Sequence, residues 1–171
     1  ARAIDRVVKS YSDDNASHQV LVQEMVRDTK ASGVAFTRTL SYGAPYYVIN
    51  YDDTTLSTDT VTGGSGQNLK TLIVHREWQS LPASANPLLQ GLLPALQELE
   101  QLVGHNSLDV EFAVDREGLV HIFQVRPIAV DHSSWRGTDD LVGNLLANAE
   151  RTFRDKQMAS PFVLGRRTFF G

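Results

Sequence analysis

The 171-residue chain contains no cysteine. Disulfides and thiolate metal sites are thereby excluded, and the lack of thiols fits a cytoplasmic setting. No apolar run is long enough to span a bilayer and no signal-peptide pattern is visible, so no membrane association is expected. Basic clusters are missing too. With 16 Lys and Arg against 20 Asp and Glu, the net charge is −4, and nucleic acid is not an expected partner. There is no internal repeat or low-complexity tract. An initiating Met is absent, and the final "LGRRTFFG" carries no stop signal, so the chain reads as a piece of a longer protein.

The usual short signatures of metal and phosphate sites are also lacking. The histidines (His18, His75, His105, His121 and His132) have no metal-ligand spacing. Asp52, Asp53 and Asp59 do not fit a calcium-binding loop, and turn-forming side chains explain them. The Gly-rich "TVTGGSGQNLKT" (60–71) separates Gly66 from Lys70, whereas a P-loop needs Gly-Lys-Ser/Thr in succession. It reads as a loop between strands.

What is present is a core. Hydrophobic residues make up 42% of the chain and charged residues 21%, ordinary for one globular domain. Residues 1–12 place Ile4, Val7, Val8 and Tyr11 on one helical face. Strands are expected at 19–26, 33–38, 45–52, 58–64 and 69–77. From Leu88 to Val103 leucines recur with a 3.6-residue period, interrupted by Pro94, where a kink or restart is expected, and stopped by Gly104. After a linker at 131–137, Thr138 reads as the N-cap of a long amphipathic helix. Its apolar side, from Leu141 to Phe153, should be covered by this domain or by a neighbour. Strands in neighbouring runs with flanking helices give an α+β fold built on an antiparallel sheet.

The stretch "LDVEFAVDREGLVHIFQVRPI" (108–128) carries the most chemistry. Two apolar runs flank the turn Asp115-Arg116-Glu117-Gly118, as in a β-hairpin. Pairing 114 with 119 puts Val110, Phe112, Val114, Leu119, His121, Phe123 and Val125 on one side. Asp109, Glu111, Gln124 and Arg126 fall on the other, with Asp109 opposite Gln124 and Glu111 diagonal to it. A carboxylate and an amide oxygen with no His or Cys nearby suit a hard cation such as Mg²⁺, and an adjacent Arg suits a phosphate. An Arg126–Glu111 ion pair on a solvated face is the alternative. His121, on the apolar side, reads as a satisfied core histidine.

Asp109-x-Glu111-Phe112, a turn, then Gln124-x-Arg126-Pro127 resembles the end of the ATP-grasp nucleotide-binding domain of phosphoenolpyruvate synthases and pyruvate phosphate dikinases. A second block, "VLVQEMVRDTKASGVAFTR" (20–38), resembles the same family's strand-turn-strand. The resemblance implies that residues 1–130 are an ATP-grasp C-terminal subdomain and that 131–171 lead to a further domain. It implies ATP and Mg²⁺ as cofactors. Glu111 and Gln124 would be the metal ligands, Arg126 the catalytic phosphate contact, and Gln23, Glu24, Met25 and Val26 the adenine-side hinge. It further implies partners within the same protein: an N-terminal ATP-grasp subdomain, and a swivelling domain whose phosphohistidine passes phosphate to pyruvate or a similar small acceptor. The chain departs from the family where Asp-Pro is expected, at Arg38-Thr39, and where a Gly-Leu-Gly-Glu run is expected, at Asn50-Tyr51-Asp52-Asp53. That departure supports the alternative, a degenerate module that binds nucleotide or a partner without catalysis.

Overall fold

The computed structural model describes residues 2–11, 17–54, 69–129 and 132–156. Helix α1 (Arg2–Ser10) is followed by strands β1 (Thr29–Phe36), β2 (Tyr46–Asp52) and β3 (Lys70–His75). A 3-10 turn (Pro87–Leu89) leads into helix α2 (Leu92–Val103). Strands β4 (Leu108–Asp115) and β5 (Val120–Pro127) form the hairpin, and a second 3-10 turn (His132–Trp135) precedes helix α3 (Thr138–Lys156). The strands make one antiparallel sheet in the order β3-β2-β1-β4-β5. The fold is therefore α+β, with three α-helices among the described residues.

The period-2 alternation of the strands sorts the sheet into two faces. One face carries Ala35, Tyr47, Ile49, Val74, Leu108, Val110, Phe112 and Val114, all essentially inaccessible. Leu89 of the 3-10 turn and Leu92, Leu93 and Leu96 of α2 complete this core, each at 0% exposure. Burying one such leucine stabilises the fold by about 1.5–3 kcal/mol. Pro94 falls in the first turn of α2, where its missing N–H has no intrahelical partner to lose, so the helix restarts there instead of kinking. Gly104 ends α2 in the left-handed conformation (φ 68°) and donates its N–H to the Glu100 carbonyl, as expected. Gly33 lies opposite Phe112, and a Cβ there would collide with that ring and with the Asn50 carbonyl oxygen.

A buried polar knot closes one edge of the core. Arg76 makes a two-pronged pair with Glu100 (2.5 and 2.9 Å) and donates to the Thr37 carbonyl oxygen at 2.7 Å. Its guanidinium lies 5.0 Å from the Tyr47 ring centre, and the Tyr47 hydroxyl donates to Glu100. Burial, reinforced by the Glu100 carboxylate, pushes the Tyr47 hydroxyl far above its usual pKa.

Several expectations are corrected. Residues 19–26 form no strand; they have no regular secondary structure, and Leu21, Val22 and Met25 are at least 70% exposed. The strand instead begins at Thr29, because the Val-rich stretch has no paired neighbour to satisfy its backbone. The expected strand at 58–64 lies outside the described residues. Of the two covers expected for the apolar side of α3, this domain, as described, does not supply the first, since Leu141, Leu145, Leu146 and Phe153 are 45–59% exposed; cover by a neighbour is the alternative that stands.

The hairpin register is corrected as well. Val114 pairs with Val120, not Leu119, because the turn is one residue longer. Asp115 accepts the Glu117 and Leu119 N–H groups, and Gly118 adopts φ 83°, which stabilises that longer turn. A bulge between Glu111 and Phe112 then leaves Phe123 unpaired. Near the turn, the one-residue slip moves Val120 and Ile122 to the core side. It also puts Leu119 in solvent and His121 opposite Ala113, where it bonds Asp115 at 2.9 Å instead of sitting in the core. Beyond the bulge the two shifts sum to two residues, and a slip of two preserves the faces.

Candidate functional site

The sheet face opposite the core is open, and the registers align its side chains in rows. Thr71, Asn50, Val34, Glu111 and Gln124 form one row across all five strands. Ile73, Val48, Phe36, Asp109 and Arg126 form the next. Glu111 and Gln124 are therefore direct cross-strand partners, closer together than the unbulged register would have placed them. Asp109 stands opposite Arg126.

Arg126 pairs with Asp109, not Glu111: its Nε donates to Asp109 Oδ2 at 2.8 Å and a terminal nitrogen lies 2.7 Å from the same oxygen. The Arg126 side chain is 62% exposed and that of Asp109 only 11%. The acid is thus fixed in the sheet while the guanidinium keeps donors facing solvent. Glu111 is half-buried and has no hydrogen bond or ion pair among the described residues. A carboxylate held in a sheet row without a cation is a ready ligand.

Val34, Phe36, Asn50, Leu69, Asp109, Glu111 and Arg126 line a groove of about 310 Å³ on this face. It adjoins a second, apolar groove of about 550 Å³, bounded by Phe36, Val48 and Ile73 of the sheet and by Leu40, Tyr42 and Tyr46. Phe36 and Asn50 belong to both. One face thus sets an apolar groove beside a charged one.

Asn50 is a groove residue that the sequence alone does not mark as part of the site. Its side-chain oxygen accepts the Thr71 hydroxyl proton at 2.7 Å, and the residue lines both grooves. The alternation in "PYYVINYD" marks Asn50 as a polar-face residue, but only the β1–β2 pairing brings it beside Val34 and into one row with Glu111. The hinge residues fare differently. Gln23, Glu24 and Met25 are exposed and Val26 half-buried, all on chain outside the sheet, so no strand end presents them to the grooves.

Among the described residues no cluster of three or more His, Cys, Asp or Glu side chains has metal-binding geometry. The donors on the open face are the unpaired Glu111 carboxylate and the Gln124 and Asn50 amides, beside an Asp109 carboxylate already paired with Arg126. That set is too small for a self-sufficient protein cage, and it suits a hard cation that takes its remaining ligands from water and a bound phosphate. No helix among the described residues is long and apolar enough to cross a membrane. No family model matches the chain, and it has no match among curated proteins or solved structures.

Proposed function

We propose that this chain supplies one wall of a Mg·ATP site in a larger phosphotransferase resembling phosphoenolpyruvate synthase, as an ATP-grasp C-terminal subdomain. The observation that carries the proposal is the pairing of Glu111 with Gln124 across the β4–β5 hairpin, with Asp109 and Arg126 one row away. Mg²⁺ fits these residues as a shared ion: Glu111 and Gln124 supply oxygens, and the nucleotide phosphates and water supply the rest. Bound there, the ion would neutralise phosphate charge as the phosphoryl group departs.

The chain's own residues position and stabilise. Glu111 and Gln124, locked by the apolar reverse side of their strands, hold donor oxygens at a fixed spacing. Arg126 offers a planar fork to phosphate oxygens, with Asp109 orienting it. The apolar groove beside them accommodates the base or an apolar part of the acceptor. Transfer to a histidine on a mobile domain, and from there to pyruvate or a similar small acceptor, is part of this proposal. So is an N-terminal subdomain that closes the other side of the cleft.

The direct test is Glu111→Gln in the full-length protein, which keeps size and removes charge. Calorimetric Mg·ATP affinity and single-turnover transfer to the acceptor histidine should both fall; if neither changes, the quartet is a surface ion-pair cluster. The 171-residue chain alone should not turn over ATP at a useful rate, and robust metal-dependent turnover by it would sink the proposal. A degenerate, non-catalytic module remains the second reading, favoured by Arg38 and the Asn50–Asp53 stretch, where the family pattern is lost. Arg38 is 8% exposed and committed to a structural ion pair with Asp139. Mg·ATP binding without any transfer would select that second reading.

A further inference from the structure

Helix α3 has no buried residue, yet its first turn is tied to the rest of the domain at a defined place. Two contacts tie the helix start and the 3-10 turn before it to the connection between β1 and β2. The first is Arg38, which is 8% exposed and grips Asp139 with both terminal nitrogens, at 2.5 and 2.8 Å. The second is the Trp135 ring, which occupies the space where a Cβ on Gly43 would stand. Gly43 has φ 59°, so glycine is required there by conformation as well as by space.

The loop between these anchors is closed on itself. Gly43 N–H donates to the Thr39 carbonyl oxygen at 2.9 Å, and Ala44 N–H donates to the Thr39 hydroxyl at 2.9 Å. Arg38 reaches across to donate to the Gly43 carbonyl oxygen at 2.7 Å. One guanidinium therefore braces the loop from inside and ties it to the helix outside. The opposite side of the loop (Thr39, Leu40, Ser41, Tyr42 and Ala44) walls the apolar groove.

We infer that α3 and this loop form a latch, in which docking of the helix sets the shape of the apolar groove. The physical reason is the burial of Arg38. With Asp139 in place, its charge is neutralised and both terminal nitrogens are hydrogen-bonded. If the helix undocks, a buried guanidinium loses its carboxylate, which is costly, and the least expensive remedy is for the loop to open and let Arg38 reach water. Opening breaks the Arg38–Gly43 bond and with it the groove wall. By linkage, whatever favours the ordered groove favours the docked helix, and the reverse. This inference rests on the geometry of the loop and holds whether or not the open face binds Mg·ATP.

The test uses the 171-residue chain in a Trp78→Phe background, so that Trp135 alone reports helix docking. In Asp139→Asn, Trp135 emission should shift to the red, and the Gly43 and Ala44 amides should exchange about fivefold faster or more. The amides of Ile49 and Val110 should keep their protection. Asp139→Glu, which restores the charge, should recover most of the loop protection. If the Asn variant does not fold, raising salt on the unsubstituted Asp139 protein screens the same pair, and both signals should move together. Movement of Trp135 with unchanged Gly43 and Ala44 exchange, in either experiment, would overturn the latch. So would loop exchange that rises equally in the Glu variant.

Discussion

The two faces of the sheet are made from the same strands, in an alternation broken at the β4–β5 bulge, and they differ sharply in burial and polarity. On the core side, Phe112, Val110 and Leu108 pack against α2 with almost no accessible surface. On the open side, the intervening Asp109 and Glu111 stand in rows with Asn50, Gln124 and Arg126, and two grooves cross them. Packing on the first face fixes the spacing of donors on the second. Substitutions on one face should therefore change stability, and substitutions on the other should change binding.

The largest effect expected is on the core face. Phe112→Ala removes a ring that is 1% exposed and lies over Gly33. It should lower unfolding free energy by about 3–5 kcal/mol, read as a shifted urea midpoint. A loss under about 1 kcal/mol would mean that this face does not organise the fold. Next comes Glu111→Gln, expected to weaken Mg·ATP binding about tenfold or more while the urea midpoint barely moves. If the midpoint falls as far as for Phe112→Ala, the separation of the faces fails. Arg126→Lys should follow, because a point charge cannot reproduce the planar fork that meets both Asp109 and a phosphate. Gln124→Ala should have a milder effect on the same calorimetric titration, since a neutral oxygen is the weaker ligand.

The smallest effect concerns acid. The Arg38 guanidinium bonded to Asp139 holds that carboxyl below its ordinary pKa of 3.8, against a smaller opposing effect of burial. A depressed folded-state pKa gives stability that is complete above 3.8 and lost as pH falls through the lower folded value. Trp135 emission should therefore stay constant from neutral pH down to about the ordinary carboxylate range and shift only below it. A shift near pH 6 would assign the docking of α3 to a histidine instead.

Much of this was legible in the sequence, for reasons that differ by region. Strand β2 and helices α2 and α3 were readable because alternation, a 3.6-residue period and a glycine stop are local signals. The polar quartet was readable for a subtler reason. The turn and the bulge each added one residue, and two odd errors restored the faces for Gln124 and Arg126 while misplacing Leu119, His121 and Phe123. Residues 19–26 were misread because β-propensity describes fit to a half-buried surface, and no neighbouring strand provides one. The Arg38–Asp139 tie was invisible because it joins residues 101 positions apart. Asp139 by itself looks like any acid in a helix's first turn, and Arg38 like any exposed base.

The central claim is that Glu111 and Gln124 present a cation site on the open face. It is tested most directly by titrating Mn²⁺ with ATP into the isotopically labelled chain and following paramagnetic broadening of backbone amides. Selective broadening at Val34, Glu111 and Gln124, absent at Leu93 and abolished in Glu111→Gln, is the result expected. Broadening that instead centres on Asp139 and Asp140, or that persists unchanged in Glu111→Gln, would contradict it.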